Sequence, residues 1–325
     1  MSLMNADAVE NRDGVSQPFM LYDGAVRGRL VRLNGIASDV LGARHAYPDQ
    51  VTRVLGEAMA AAAALADGLK FDGSFTLQIQ GNGALHTLVT DITSDRVMRG
   101  CAKFDDTSLP ADRAEDGDDL ALQRLMGTGH IAFTVDQGPD MERYQGIIEL
   151  MGSSIGDCVH QYFQQSEQLE TAIKIVAGRT DIDDLQSPWQ ASALLVQRMP
   201  TEGGRAPTED DDDAWRTAVI LLSSISDEEL LSSKLTEEDV LSRLYGTIGG
   251  RLLERRALKA GCRCSRARSA KILASFPMDE VFSMAEDGIV SMTCEFCESV
   301  YEFAETELRD VAEAATKEFS APVSG

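Results

Sequence analysis

The chain has 325 residues, more than one hydrophobic core usually accommodates, so two or three domains are expected. Its formal net charge of −23 argues against a duplex nucleic-acid partner, because the phosphates would be repelled. No run of about 18 apolar residues occurs, and residues 1–14 carry Asp7, Glu10 and Asp13 where a signal peptide would carry basic residues. These features argue against a membrane protein and predict a soluble, cytoplasmic one.

The N-terminal part of the chain alternates strand-like and helix-like patterns. Val26 to Leu33 mixes apolar and charged side chains, which predicts an edge strand or a half-buried strand. Asp49 to Leu69 predicts a helix, because apolar residues recur every three or four positions and Ala58 to Ala66 are nearly all small, as expected for close packing. Ser74 to Gln80 alternates again and predicts a second strand.

Two glycine-rich turns, Gly81-Asn82-Gly83 and Gly127-Thr128-Gly129, indicate an internal repeat. Their spacing of 46 residues suggests a duplicated hairpin unit. Neither turn completes a nucleotide-binding loop before a helix, so turn glycines are favoured over a phosphate site. The predicted strand pairs are Leu85 to Thr93 with Val97 to Phe104, and Ile131 to Asp136 with Tyr144 to Met151.

The next segments complete a first domain. Ser154 to Gln168 predicts a helix with a serine near its start, and Thr171 to Val176 predicts a strand. Ala191 to Met199 is an almost continuous apolar run, which is typical of a strand buried on both faces. Residues 1–200 are therefore expected to form an α+β domain of mainly antiparallel strands with packed helices.

Residues 201–250 read as a short, acidic, helical linker. Thr201 to Pro207 is rich in glycine and proline, and Glu209 to Asp213 is an unbroken acidic run. From Thr201 to Val240 there are twelve acids and three bases. An ordinary helical subdomain with acids capping its helices is one interpretation; the other is a marginally stable segment that depends on its neighbours for order. The predicted helices are Ala214 to Ile225, Asp227 to Leu231 and Thr236 to Tyr245.

A basic run follows, with eight lysines or arginines and one acid between Arg251 and Lys271. The simpler interpretation is a solvated positive helix face. The more specific one is that these cations lower the pKa of Cys262 and Cys264, which lie within the run, and keep them as thiolates.

Four cysteines carry the strongest signal. Cys262 and Cys264 form a C-x-C pair, Cys294 and Cys297 form a C-x-x-C pair, and 29 residues separate the pairs. Four thiolates from two short clusters are what a tetrahedral zinc ion needs, and the same sulfurs can form two short disulfides when oxidised. We therefore predict a small zinc-binding domain over residues 251–325, for which one Zn2+ supplies on the order of 10 kcal/mol of folding free energy.

Other constellations point away from enzyme chemistry. Cys101 and Cys158 are expected to be buried, inert thiols in a strand and a helix. The four histidines are not paired at metal-ligand spacing, and no serine lies in a nucleophile elbow. A hydrolase is not supported, and we expect a protein that is not an enzyme. The histidines are His45, His86, His130 and His160.

With these motifs in view, the chain resembles the 33 kDa chaperonin family of bacterial redox-regulated holdases, over nearly its whole length. Two features depart from the family pattern: Ala267 stands where an acidic residue is common, and the acidic stretch after Pro200 is peculiar to this chain. Neither departure involves one of the four cysteines. The matching segments are Cys262-Arg263-Cys264-Ser265-Arg266, Glu286-Asp287-Gly288, Cys294-Glu295-Phe296-Cys297 with Tyr301 and Phe303, the strand from Leu77 to Gly83, Arg99-Gly100, Tyr144-Gln145-Gly146, and Tyr162-Phe163 with Ser166-Glu167-Gln168.

The resemblance implies a chaperone that is inactive when reduced and zinc-bound. Oxidation would release zinc, form Cys262–Cys264 and Cys294–Cys297 disulfides, loosen the linker and expose apolar surface for unfolded client proteins, without ATP. Family members form homodimers when activated. Two alternatives remain open at this point: a zinc ribbon whose arginine-rich run binds nucleic acid, and a thiol oxidoreductase that uses Cys294 and Cys297.

Overall fold

The computed structural model describes residues 14–42, 45–111, 121–138, 141–167, 169–180, 187–200 and 208–320. The predicted glycine- and proline-rich linker segment, Thr201 to Pro207, lies outside these ranges. The chain forms two compact units, residues 1–261 and residues 262–325. The finer division into 1–200, 201–250 and 251–325 stays a prediction. Within the described ranges, no helix has the length and apolar character needed to span a bilayer.

One large sheet organises the first unit, and a two-stranded sheet belongs to the second. The strands are β1 (Gly14–Leu21), β2 (Val26–Arg32), β3 (Ser74–Gly81), β4 (Leu85–Thr93), β5 (Val97–Phe104), β6 (Gly129–Asp136), β7 (Tyr144–Glu149), β8 (Thr171–Arg179), β9 (Trp189–Arg198), β10 (Arg251–Leu252), β11 (Arg256–Ala260), β12 (Ile289–Thr293) and β13 (Val300–Ala304).

The order in the large sheet is β7-β6-β3-β4-β5-β11-β1-β2-β9-β8, with β10 also pairing β1. All of its strand pairs are antiparallel except that of β11 with β5. This confirms the α+β class and the predicted antiparallel majority. Strands β1 and β11 were not predicted. Within the sheet, β11 lies between β5 and β1 and pairs with both.

Ten α-helices occur in the described residues: α1 (Asn34–Ala37), α2 (Asp49–Ala66), α3 (Ala121–Met126), α4 (Ile155–Tyr162), α5 (Glu209–Ser223), α6 (Asp227–Leu231), α7 (Glu237–Tyr245), α8 (Arg266–Leu273), α9 (Met278–Ser283) and α10 (Glu305–Ser320). In the segment predicted as a helix over Ser154 to Gln168, the α-helix ends at Tyr162. A π-helical turn follows over Phe163–Glu167. The acidic run at Glu209 is the first turn of α5, so that helix begins before the predicted Ala214.

The main core forms around helix α2, which contacts strands β2 to β5 and also β8 and β9. Its alanines are fully buried, which explains the run of small residues from Ala58 to Ala66. Close approach extends to Gly56, where an added Cβ would lie 2.8 Å from the Cβ of Ala177. The helix therefore needs small side chains to fit against the sheet.

The two glycine turns face each other across the β3–β6 pair, with Gly81 opposite Gly129. The backbone N–H of Gly83 donates to the carbonyl of Met126 at 2.8 Å. A Cβ on Gly129 would lie 1.9 Å from the carbonyl oxygen of Gln80. Both turns open the predicted hairpins, β4 with β5 and β6 with β7, so the glycines serve close backbone packing as expected.

Helices α5, α6 and α7 cover the other face of the sheet, which explains the continuous apolar run of β9. Along β9, Leu195 belongs to the main core, while Leu194 and Val196 belong to a second core beneath the helices. The second core comprises Phe19, Leu21, Val26, Leu30, Val176, Leu194 and Val196 from the sheet, and Ala218, Leu222, Ile225, Leu230, Val240, Leu241, Leu244 and Tyr245 from the helical segment.

Side chains of the sheet also bind backbone carbonyls of the helical segment. Ser192 donates to Leu230 at 2.9 Å, and Arg32 donates to Glu229 at 3.0 Å and to Leu235. Each helix starts with a capping box, at Thr208, Ser226 and Thr236. The acids therefore cap the helices, as predicted for an ordinary helical subdomain. The position of this segment also depends on both apolar and polar contacts with the sheet.

Glu57 of α2 gives this helical segment a pH dependence. The side chain of Glu57 is half-buried. Its removal from water raises the pKa of the carboxyl group to about 7. Asp227 at the start of α6 adds to this shift, and Arg53 opposes it. Because the folded pKa is raised, its stabilising contribution is complete below the unfolded pKa and is lost as pH rises through about 7.

We predict that Glu57→Gln stabilises the protein at pH 8 by about 1–3 kcal/mol and has little effect near pH 4.5. Urea unfolding between those values measures the difference from the unmodified chain. Glu149→Gln, which changes an exposed glutamate of β7, is the control. Equal stability of Glu57→Gln and the unmodified chain at every pH would contradict the assignment.

Candidate metal centre

The basic run that contains the first cysteine pair is mostly exposed, as the simpler interpretation predicted, but it does not form one helix face. It comprises the strands β10 and β11, a loop and helix α8. Arg256 of β11 binds Asp67 at 2.8 Å, and Arg266 of α8 binds Glu307 at 2.7 Å. Several of these cations are therefore held by carboxylates within their own unit.

The loop from Cys262 to Ser265 presents the first cysteine pair. Ser265 ends the loop by capping helix α8, because its hydroxyl accepts the backbone N–H of Arg268 at 3.2 Å. The cap fixes the direction in which the chain enters the helix, one residue after Cys264.

The second pair lies on the tip of the β12–β13 hairpin. The N–H of Cys294 donates to the carbonyl of Ser299 at 3.0 Å, and the N–H groups of Cys297 and Glu298 turn back to the carbonyl of Cys294. Glu298 adopts a left-handed backbone conformation, with φ of 56°. This tight turn brings the Cys294 and Cys297 side chains to one side.

All four predicted sulfurs come together, each half-buried and within 4.8 Å of one another. The Sγ atoms of Cys264 and Cys297 are 3.3 Å apart, and those of Cys262 and Cys294 are 3.7 Å apart. Zinc–sulfur bonds of about 2.3 Å in a tetrahedron would place the sulfurs about 3.8 Å apart. All four cysteines are reduced thiols in the structure, and their donor set fits a metal ion.

Two side chains that follow Cys297 in the sequence support the sulfurs. The hydroxyl of Tyr301 donates to Cys264 at 3.2 Å, and Ser299 Oγ lies 3.3 Å from Cys297 Sγ. Tyr301 was predicted only as part of the segments that resemble the family, and Ser299 was not predicted. A usable signal was present: residues 299, 301 and 303 alternate along the strand, so their side chains share a face.

The pKa values of three of the four thiols are shifted in different directions. Burial raises the pKa of Cys294 to about 12, and it also raises that of Cys264, where the hydrogen bond from Tyr301 offsets only part of the effect. At Cys297 burial is outweighed by hydrogen bonds with Ser299 and by the neighbouring sulfurs, which lower its pKa to about 6. The predicted lowering at Cys264 was therefore wrong, because burial and neighbouring sulfurs act there instead of the arginines.

The second unit has little apolar core besides this cluster. Six apolar side chains of this unit are buried in the described residues. The guanidinium of Arg266 lies 4.6 Å from the ring centroid of one of them, Phe303. A core of this size provides limited stability, so a crosslink between the two cysteine loops matters for folding. The six are Ala270, Leu273, Val281, Val290, Phe303 and Leu308.

The remaining cysteines and two histidines have structural surroundings. Cys158 is fully buried in α4, and burial raises its pKa to about 11, as expected for an inert thiol. Cys101 lies in β5 but is only half-buried. His45 stacks on Tyr47, and Nδ1 of His160 lies 2.8 Å from the carbonyl of Thr171. Among the described residues, the four-cysteine cluster is the one group of potential ligands found for a metal ion.

Fold and cluster define a class of protein: a large antiparallel sheet unit with packed helices, followed by a small unit that carries four convergent cysteines. The family model described as "Hsp33 protein" matches residues 15–304. The chain is 37% identical to the 33 kDa chaperonin of Caulobacter vibrioides over 290 residues, which cover 89% of this chain and 94% of the relative.

Two further comparisons agree. The 33 kDa chaperonin of Pseudomonas aeruginosa is 38% identical over 291 residues, covering 89% of this chain and 91% of that protein. The crystal structure of the 33 kDa chaperonin from Thermotoga maritima has the same fold, with a TM-score of 0.78 at 23% identity, over 94% of this chain and 99% of that one. The chain therefore belongs to the Hsp33 family of heat-shock chaperones.

We predict that Cys294→Ser loses most of its bound metal and the ordered structure of residues 262–320, because one of four ligands is removed and the apolar core is small. Metal analysis and limited proteolysis of the full chain measure the two effects. Cys101→Ser is the matched control, since Cys101 lies in β5 of the first unit. Full metal content with intact protease resistance in Cys294→Ser would contradict the assignment.

Proposed function

We propose that the protein is an ATP-independent holdase that is inactive while its four cysteines are reduced and bind zinc, and active once oxidation removes the metal. The observation that carries the proposal is four reduced cysteine thiols within 4.8 Å of one another in a unit with a small apolar core. Membership of a chaperone family supports the holdase role. The cytoplasm suits such a site, because thiols there are kept reduced.

Zinc is the metal we assign to Cys262, Cys264, Cys294 and Cys297. Four soft thiolate ligands at tetrahedral spacing favour Zn2+ over ions that prefer oxygen ligands. Bound there, the ion would join the two cysteine loops and hold the sulfurs as thiolates. Tyr301 and Ser299 would orient two of these sulfurs through their hydroxyl groups.

Peroxide is the oxidant class we propose. Each disulfide consumes one hydrogen peroxide: two thiols lose two electrons and two protons, an S–S bond forms, and two waters leave. The family resemblance suggests Cys262–Cys264 and Cys294–Cys297 disulfides. The reduced geometry also permits Cys262–Cys294 and Cys264–Cys297, since these sulfurs are 3.7 and 3.3 Å apart. Peptide mapping of the oxidised chain distinguishes the two pairings.

The surface that binds clients, in this proposal, is the apolar face beneath α5, α6 and α7. Phe19, Leu194 and Val196 on the sheet are fully buried by these helices. The helices themselves expose Ile220 and carry dense acidic charge, so their docking is expected to be marginal. Loss of the metal unfolds the small unit, the helices undock, and the exposed apolar face binds unfolded proteins and promotes homodimer formation.

The direct test measures zinc release, free thiols and aggregation of a heat-unfolded client such as citrate synthase on the same peroxide-treated sample. We expect suppression of aggregation to increase in parallel with zinc release and to reverse on adding reductant and zinc. Cys101→Ser should behave like the unmodified chain. If zinc leaves while aggregation is not suppressed, the switch proposal fails.

A second test concerns the helical segment alone. Leu230→Ala should weaken docking by about 2–5 kcal/mol, because a fully buried leucine is removed from the second core. The reduced, zinc-bound variant is then expected to suppress aggregation partly without oxidant. Ile220→Ala, at a residue that is 61% exposed on α5, is the control. Limited proteolysis reports undocking, and an undocked but inactive variant would exclude this client surface.

A further inference from the structure

A cavity of about 370 Å3 lies in the first unit between the end of α2 and the sheet. Its volume falls in the range of small-molecule sites, and its walls are mainly apolar, with five aromatic side chains. The aromatic residues are Phe75, Phe133, Tyr144, Tyr162 and Phe163. The chaperone mechanism proposed above uses none of them.

The aromatic wall is held in place by specific contacts. The rings of Phe133 and Tyr162 lie 4.3 Å apart, and those of Tyr162 and Phe163 meet edge to face at 5.4 Å. The hydroxyls of Tyr144 and Tyr162 are 3.3 Å apart. A Cβ on Gly146 would lie 2.4 Å from the ring of Tyr162, so this glycine makes room for the ring. The Tyr144-Gln145-Gly146 and Tyr162-Phe163 segments thus build one wall.

Two cations, Arg29 and Lys70, line the same cavity. The Arg29 side chain is only 13% exposed, and its guanidinium lies against Gly68, where an added Cβ would be 2.5 Å from Nη2. Its Nη1 donates to Gln197 Oε1 at 3.0 Å, while Nη2 has no hydrogen-bond partner among the described residues. One donor of a held guanidinium is therefore available to a ligand.

The nearest carboxylate, Asp67, does not cancel this charge. Its Oδ2 lies 3.9 Å from Arg29 Nε, and its Oδ1 lies 2.8 Å from Arg256 and 3.9 Å from Arg96. Three arginines thus share one carboxylate, and Lys70 adds a further cation to the lining of the cavity, in a chain whose net charge is −23. This is a local positive site beside an apolar cavity, and the combination selects for an anion with an apolar body.

We propose that the cavity binds a small amphipathic carboxylate, with its apolar or aromatic body against the Phe133–Tyr162 wall and its carboxylate on Arg29 Nη2 and Lys70. A free aromatic acid and the C-terminal residue of a peptide share this chemistry. The apolar lining disfavours a nucleotide or another polyanion, whose several charges would be desolvated with few partners.

Calorimetric titration of the reduced, full-length chain with 2-naphthoate tests the site. We expect 2-naphthoate to bind saturably, at about one site per chain. Binding of 2-naphthylmethanol, which lacks the carboxylate, is expected to be at least tenfold weaker. Binding of 2-naphthoate to Arg29→Gln is also expected to be at least tenfold weaker. Because Arg29 also contacts Asp67, Lys70→Gln at an exposed position gives a second measure and should weaken binding about threefold or more.

Lys103→Gln, at an exposed lysine of β5 that does not line the cavity, is the control and should bind like the unmodified chain. A peptide ending in phenylalanine, titrated with a free and an amidated C-terminus, distinguishes a chain end from a free acid as the source. No saturation, equal binding of naphthoate and naphthylmethanol, or unchanged affinity in both cavity variants would overturn the proposal. So would binding that occurs only after oxidation, because the cavity is already open in the reduced chain.

Discussion

The convergence of four thiols on one point is the constraint on which the C-terminal unit depends. Two short segments, the loop at Cys262 and the hairpin tip at Cys294, approach until their sulfurs lie within 4.8 Å. The six fully buried apolar side chains of this unit form a core too small to hold the loops together by hydrophobic burial alone. In the function proposed above, the protonation, metallation and oxidation of the sulfurs would therefore decide whether the unit is folded.

The first unit has two cores of different character. The core around α2 is built from alanines that fit closely against the sheet, so it tolerates little change. The second core depends on α5, α6 and α7, which are strongly acidic and bound through carbonyl contacts with Arg32 and Ser192. The large sheet is connected to the cysteine cluster along the chain, because β11 ends at Ala260, two residues before Cys262.

Much of the fold could be predicted because alternation and spacing are local properties of the chain. The strand alternation at Ser74 to Gln80 and the β4–β5 hairpin were confirmed, and the four cysteines come together in space, while their role as metal ligands stays a prediction. The errors concern effects that depend on distant partners. In the sequence, strand β11 looks only like part of a basic run. Its place in the sheet could not be predicted because Arg256 pairs with Asp67, 189 positions earlier in the chain. The pKa of Cys264 follows burial and its neighbouring sulfurs, which the count of nearby arginines could not indicate.

Hydrogen exchange of the full-length chain, before and after peroxide, tests the coupling between the cysteine cluster and the helical segment most directly. The account predicts that amides of residues 209–245 are protected in the reduced, zinc-bound chain and lose protection together with those of residues 262–320 when zinc is released, while β2 and β9 stay protected. Continued protection of residues 209–245 after complete zinc release would contradict it.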